Sequence, residues 1–487
     1  MENHMDRIVS LIVILLTPFL ALAQPRKGEF KTESTFRAGA AVSNVTPFLG
    51  NEIVGNFNTP PATHIHDDLF VRCLVLDDGS VRLAFGVIDN VFVREEVLDA
   101  AKELVYEKTG IPTDNVMLSS THTHSATSAG GKGAKRVAWD MGEQFDEYQV
   151  YLIRRIADGM VCAVNNLAPA QIAWGSVDIP EHVFNRRWKM KNLMTNPFGG
   201  RDQVLMNPGR SNPNLVEPAG PVDPELSFFA VQSLEGCPIA LLANYSLHYV
   251  GGVPSGQVSA DYFGVFAKKI DGLLNRAAGD LPFVGIMTNG TSGDINNIDV
   301  QSEAVRYEPY EKMSLVATDI AAKVFSVYQK LKFQDRVSLD SKSAMLTLGV
   351  RKPTQQMLDR ARKFPELTKG ERYHRNEHIY VERIIDMQEN WPDSLTIDLQ
   401  VFRIGGVAIG AIPFEVFAET GLELKEKSPF DATFIVGLAN GGFGYLPTPK
   451  QHELGGYETW LGTNRVEIHA SEKIVKTIVD MFGSLRD

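Results

Sequence analysis

In Val116-Met117-Leu118-Ser119-Ser120-Thr121-His122-Thr123-His124 an apolar run ends in two histidines two residues apart. If a strand continues through them, its period of two sets both imidazoles on one face. There they clamp a metal ion or serve as hydrogen-bonded structural histidines. Ala240 to His248 again ends an apolar run in a histidine, as a ligand or as a satisfied, partly buried residue. Ala408 to Glu415 delivers a carboxylate at a strand end, and Glu415 is either a ligand or the N-terminal acid of a helix over Val416 to Lys427. Phe283 to Met287 runs into Asn289-Gly290-Thr291-Ser292-Gly293-Asp294-Ile295-Asn296-Asn297, a glycine-bearing turn crowded with donors and acceptors.

Side chains at strand ends do chemistry only if a sheet holds the strands in register. Val81 to Val87 predicts a strand, Glu95 to Tyr106 a helix with apolar Val97, Leu98, Ala101, Leu104 and Val105, and Asn115 to Ser120 a second strand. Together they make a βαβ unit, with Gly110 and Pro112 punctuating the helix end. Further strands are expected at Ile239 to Ala243, Phe283 to Met287, Val401 to Ile412 and Thr433 to Leu438. Helices are expected at Ala260 to Leu274, Tyr310 to Leu331 and Ser471 to Phe482. The fold class is α/β, with mixed β-sheets flanked by helices in a single large domain. Asn207 to Asp223 reads as a long surface loop, and Arg351 to Arg383, dense in both charge signs, as a solvated helical excursion.

Composition bounds the rest. With 44% hydrophobic and 22% charged residues among 487, the chain is an ordinary folded protein, neither disordered nor a disulfide scaffold. A net charge of −11 has the wrong sign for tracking nucleic-acid phosphates or anionic membranes. At the N-terminus, Arg7 precedes an apolar run from Ile8 to Leu22 that closes on Ala21-Leu22-Ala23, an A-x-A pattern. Residues 1–23 therefore read as a signal peptide and 24–487 as a secreted or periplasmic enzyme domain. No other segment is apolar enough to span a bilayer. Cys73, Cys162 and Cys237 allow at most one disulfide.

These strand ends, in this order, resemble the catalytic domain of the neutral/alkaline ceramidases. The resemblance rests on T-H-T-H-S (Thr121 to Ser125), I-H-x-x-L-x-x-R (Ile65 to Arg72) and Asn185-Arg186. It continues through His248 to Asp261, Gly293-Asp294, Pro413 to Glu415 and Gly437 to Glu458, spanning Phe36 to about Phe482. The immunoglobulin-like C-terminal domain of those enzymes has no counterpart here. The resemblance implies a Zn2+ site of His122, His248, Glu415 and Tyr445. It places His124 beside the site as a substrate or transition-state contact, and Tyr445 as a ligand that swings off to act as acid or base. Two His, one Glu and a weakly held position form a catalytic rather than a structural donor set. His66, Arg186 and Asp294 fall at substrate-binding positions, and Asp89, Asp261 or Asp294 are candidate acceptors behind the ligating imidazoles.

Two departures bear on the substrate. Where the ceramidase turn has its proposed nucleophilic serine, this chain has Asn296, which is no nucleophile but can donate a hydrogen bond to an oxyanion. After Asn185-Arg186 this chain continues Arg187-Trp188-Lys189-Met190-Lys191, cations that suit a carboxylate or sulfate, with Arg186 and Arg187 as its binders. Three functions follow. The first is a metal-assisted hydrolase of a polar or anionic substrate, with Asn296 or His124 stabilising the oxyanion. The second is a lyase or dehydratase on uronic-acid oligosaccharides in polysaccharide degradation, and the third a binding protein on the same scaffold. The substrate is accordingly a small molecule, a lipid or an oligosaccharide. The export signal predicts that protein produced with its full N-terminus and secreted begins at Gln24. N-terminal sequencing that finds residues 1–23 retained would remove the signal-peptide assignment.

Overall fold

Strands covered on both faces read as near-continuous apolar runs, and the runs that lead to His122, His248 and Glu415 do so because layers lie on either side of them. The computed structural model describes residues 35–485 apart from 57, 128, 130–144 and 275–281. The expected signal peptide, 1–23, lies outside the described residues.

An eight-stranded mixed sheet runs in the order Val284–Asn289, Pro238–Tyr245, Glu225–Ser233, Ala168–Asp178, Arg37–Asn44, Phe70–Asp77, Arg82–Ile88, Val116–Ser120. A second sheet orders Leu339–Gly349, Ser394–Ile404, Val407–Ile412 and Ala432–Gly437. The two meet face to face, with Phe85, Phe229 and Ile286 of the first packed into one core with Phe402, Ile409 and Phe434 of the second. Alternate residues face outward. Val71, Cys73 and Val75 pack under the helices Glu95–Thr109 and Glu147–Asn165. Phe228 and Leu241 pack under Asp261–Leu273 and Glu311–Tyr328, and Leu399 and Ile435 under Ala470–Leu485. The result is four layers, helix, sheet, sheet, helix, as expected for the α/β class.

Parallel pairing places the site. Arg82–Ile88 runs parallel to Val116–Ser120, Pro238–Tyr245 to Val284–Asn289, and Val407–Ile412 to Ala432–Gly437. The first of these is the expected βαβ unit. A bridge from Ser119 to Ala439 ties the ends of the two sheets together. The carboxyl ends of parallel strands are where α/β folds bind ligands, because the loops leave there without crossing the sheet.

Three expectations need correction. Val401 to Ile412 is not one strand but two arms of a hairpin, Ser394–Ile404 and Val407–Ile412, turning at Gly405-Gly406. Gly405 has φ +60 and a Cβ there would lie 2.6 Å from Val337, so the turn requires glycine; apolar residues on both arms masked it. The 207–223 loop contributes a strand, Leu215–Pro218, to a small sheet with Arg187–Thr195 and Arg201–Met206. The charged 351–383 segment is helical at Gln355–Lys363 and enters Glu377–Glu389, but one face is not solvated: Tyr380 and Glu377 are buried, the former edge-on to Trp460. All three cysteines are free thiols, Cys73 buried and the other two exposed.

The sheet-to-sheet contact predicts its own test. The Phe402 ring is fully buried with its centroid 5.3 Å from that of Phe85, on the opposite sheet. Phe402→Ala removes that contact and should cost about 3–5 kcal/mol in denaturant unfolding. A loss under 1 kcal/mol would mean the two sheets do not share a core.

Candidate metal centre

Each side chain that could hold a metal sits just beyond a strand end and is held there by backbone. After Val116–Ser120 the chain stays hydrogen-bonded, Thr121 N–H to the Ile88 carbonyl and His122 N–H to the Asn90 carbonyl, both at 2.9 Å. His122 then takes φ +73, the left-handed region that costs a non-glycine residue roughly 1–2 kcal/mol. The strand therefore ends before the histidines, and the expected period-two placement of His122 and His124 is replaced by a turn that brings both rings to one place. Gly55 lets His124 in, since a Cβ there would lie 2.7 Å from the His124 ring.

Two backbone carbonyls set the chemistry. His122 Nδ1 lies 2.7 Å from the Val91 carbonyl and His248 Nδ1 lies 3.0 Å from the Ser292 carbonyl. A carbonyl only accepts, so each Nδ1 carries the proton and each Nε2 presents a lone pair. Those two Nε2 atoms are 3.0 Å apart, and His124 Nε2 is 3.2 Å from that of His122. Glu415 Oε2 lies 3.3 Å from His122 Nε2 and 3.8 Å from His248 Nε2, with no hydrogen-bond donor of its own. Lone pairs and a carboxylate oxygen turned on one another repel unless a cation lies among them. This donor set, neutral imidazoles plus carboxylate, fits a divalent metal of the zinc kind. The atoms of His122, His124 and His248 all fall within 4.8 Å of one another.

Electrostatics keep the imidazoles ready. Burial, then coupling to the neighbouring His122 ring and the Arg186 charge, hold His248 well below the ordinary histidine value of 6.5, and the same causes do so for His124. Glu415 and Tyr445 are paired across a short parallel bridge, Glu415–Val416 against Tyr445–Leu446, so one frame sets both residues. Burial pushes the Tyr445 hydroxyl well above its ordinary range, so it keeps its proton.

The cations divide. The Arg186 guanidinium lies over the Tyr445 ring at 5.2 Å, gives Nε–H to Glu458 at 2.8 Å, and puts Nη1 3.4 Å from His248 Nε2. Its Nη2 is buried and unpartnered. Arg187 is fully buried away from solvent, donating to Glu458 at 2.6 Å, to Gln451 and to the Gly455 carbonyl. Burial alone would raise the Glu458 carboxyl, but Arg187 and then Arg186 hold it below the ordinary range. Lys189 pairs with Glu217. Of the cations read as carboxylate binders, Arg186 alone has a donor directed at the cluster.

The remaining expected site residues lie further out. Asn296 gives Nδ2–H to Asn207 Oδ1 and accepts from Ile298 N–H, which engages both ends of its amide. Asp294 accepts from Asn185 and from Ala418 N–H, Asp261 from Val250 and Gly251 N–H, and Asp89 from Arg72 at 2.6 Å. None of these three backs a ligating imidazole; the carbonyls of Val91 and Ser292 do. His66 stacks on Tyr310 with centroids 3.6 Å apart, and no described contact joins it to the histidines. Ser292 gives its hydroxyl to Asn289 Oδ1 at 2.7 Å.

Four participants had no role in the sequence reading. Glu458 stands inside the quoted Gly437 to Glu458 stretch, where a carboxylate among aromatics next to a Gly-Gly turn was its only signal. Tyr249, stacked on His124 at 3.8 Å, directly follows His248. The Val91 and Ser292 carbonyls have no side-chain signature at all.

No family model matches the chain. Among solved structures, it is similar to neutral ceramidase from Pseudomonas aeruginosa, with TM-score 0.67 and 17% identity over 93% of this chain and 74% of that one. A ceramidase complexed with C2 gives TM-score 0.65 and 16% identity over 93% and 75%. The protein thus has the fold of neutral ceramidase.

Lone pairs without a cation predict a strong response to metal. Added Zn2+ at 100 times its Kd should stabilise the chelator-treated protein by about 2.7 kcal/mol, read as a rise in unfolding midpoint. His248→Ala should abolish the rise. Because His248 and His124 stay neutral below the ordinary 6.5, the response should persist at pH 6. Its disappearance between pH 7 and 6 would show imidazoles protonating as exposed ones do.

Proposed function

We propose that this chain is a secreted, metal-dependent hydrolase of polar or anionic substrates, with zinc held by His122, His248 and Glu415. One observation carries the proposal: two imidazole lone pairs with backbone-fixed tautomers and an unpartnered Glu415 oxygen converge at the carboxyl ends of parallel strands. The fold shared with the ceramidases supports a hydrolase, since that scaffold carries such chemistry in its relatives. When bound, zinc supplies a Lewis acid that polarises a substrate oxygen and brings the pKa of water towards about 7.

The protein's own residues do the rest. Arg186 brings its Nη1 within 3.4 Å of His248 and keeps a buried, unpartnered Nη2, and this guanidinium binds a substrate anion or a developing oxyanion. Tyr445, kept protonated by burial and set against Arg186, holds the proton a leaving group needs. His124, with its ring stacked on Tyr249 and its Nε2 3.2 Å from that of His122, stands beside the pair as a contact for substrate or oxyanion. Asn296 anchors the Asn207 turn, whose N–H in turn holds the Arg186 carbonyl, and so positions Arg186. Arg187 and Glu458 fix the same guanidinium from behind.

Elimination on a uronate uses the same groups, and product mass separates the two reactions. Zinc-loaded protein incubated with pools of N-acyl compounds and acidic oligosaccharides should cleave a substrate with gain of one water, and chelation should stop it. Loss of one water from an acidic sugar would replace hydrolysis by elimination. Glu415→Gln should lower turnover beyond the roughly 10–100-fold that outer-shell partners are worth. Unchanged turnover in that variant would overturn the metal reading.

A further inference from the structure

Beside the metal centre lies a cavity of about 310 Å3 that none of the ligating residues lines. That volume is at the lower end of the roughly 300–1,000 Å3 of small-molecule sites. Its apolar wall is Phe92, Trp391 and Phe443. Segments that build the metal centre also build this wall: Phe92 follows Val91, Phe443 precedes the Gly444-Tyr445 bridge, and Arg465 follows Asn464, which donates to the Tyr445 carbonyl.

The cavity's charges are arranged unevenly. Arg94 is held by both oxygens of Glu96, and Asp386 accepts from Trp391 Nε1–H and from Asn390. Arg465 differs. Its guanidinium stacks over the Trp391 ring at 4.8 Å, and no described hydrogen bond or ion pair engages its donors. Burial, then the Arg383 charge, lowers its pKa to about 10, although the Asp386 and Glu415 carboxylates act the other way. An arginine on an aromatic face with its fork unfilled suits a carboxylate bidentately. Aromatic rings receive the C–H face of a sugar, and the Glu95 and Asp386 side chains in the lining accept from its hydroxyls.

We infer that this cavity is a binding site for an acidic sugar ring, with Arg465 taking the carboxylate and Phe92, Trp391 and Phe443 the ring. None of His122, His248 and Glu415 lines the cavity, so its test does not depend on the hydrolase reading.

The probe is glucuronate against glucose, titrated by calorimetry into the full-length protein with and without chelator. Glucuronate should bind in both conditions and glucose, lacking the carboxylate, at least tenfold more weakly. Arg465→Met should weaken glucuronate at least tenfold. Arg465→Lys, which keeps the charge but not the fork, should fall between, with unchanged unfolding midpoint showing that the variants fold. No glucuronate binding, equal binding by glucose, binding indifferent to Arg465→Met, or binding lost on chelation would each overturn the inference. The last would place the sugar at the metal instead.

Discussion

Two carbonyl oxygens, those of Val91 and Ser292, decide what the site can be. By accepting from Nδ1–H they turn the Nε2 lone pairs of His122 and His248 towards each other and towards Glu415, a group that favours a bound cation. Much of the surrounding structure serves this. Val91 is positioned by the end of Arg82–Ile88 and Ser292 by the end of Val284–Asn289, strands near opposite edges of the large sheet, and Glu415 comes from the second sheet. The Phe85 to Phe402 contact that holds the sheets together therefore also holds the donor set together. Stability and chemistry draw on one core.

A second constraint is the sharing of one buried carboxylate by two buried guanidiniums. Glu458 alone would be costly to bury, as would either arginine, since an unpaired interior charge loses its hydration. Arg187 satisfies it from the enclosed side, and Arg186 is left with one donor to turn on the site. The pair of arginines that looks in sequence like a double anion clamp is one clamp and one support. The same logic sets Arg465 apart in its cavity, where Arg94 and Asp386 have partners and it stacks on Trp391 without one.

The order of strand-end residues was legible in the sequence, because a buried strand followed by a polar residue is a local pattern. The histidines, Glu415 and the βαβ unit all follow from it, whereas Tyr445 was a candidate only through the resemblance to the ceramidases. What misled was also local. Apolar residues on both sides of Gly405-Gly406 hid a hairpin, and the H-x-H spacing suggested a strand where His122 instead takes a left-handed turn. The charged 377–389 helix concealed Tyr380 on its inner face.

The sequence by itself determined the class of fold and the donor types, since these depend on residue identity and periodicity along one segment. The tertiary structure decided which of those residues meet. Which arginine faces the metal centre, which oxygen fixes each imidazole tautomer, and that Asn296 holds the Asn207 turn depend on atoms up to hundreds of residues apart, as Arg186 and Glu458 are. Backbone carbonyls are the same in every residue, so their part in the chemistry is set by where the fold puts them.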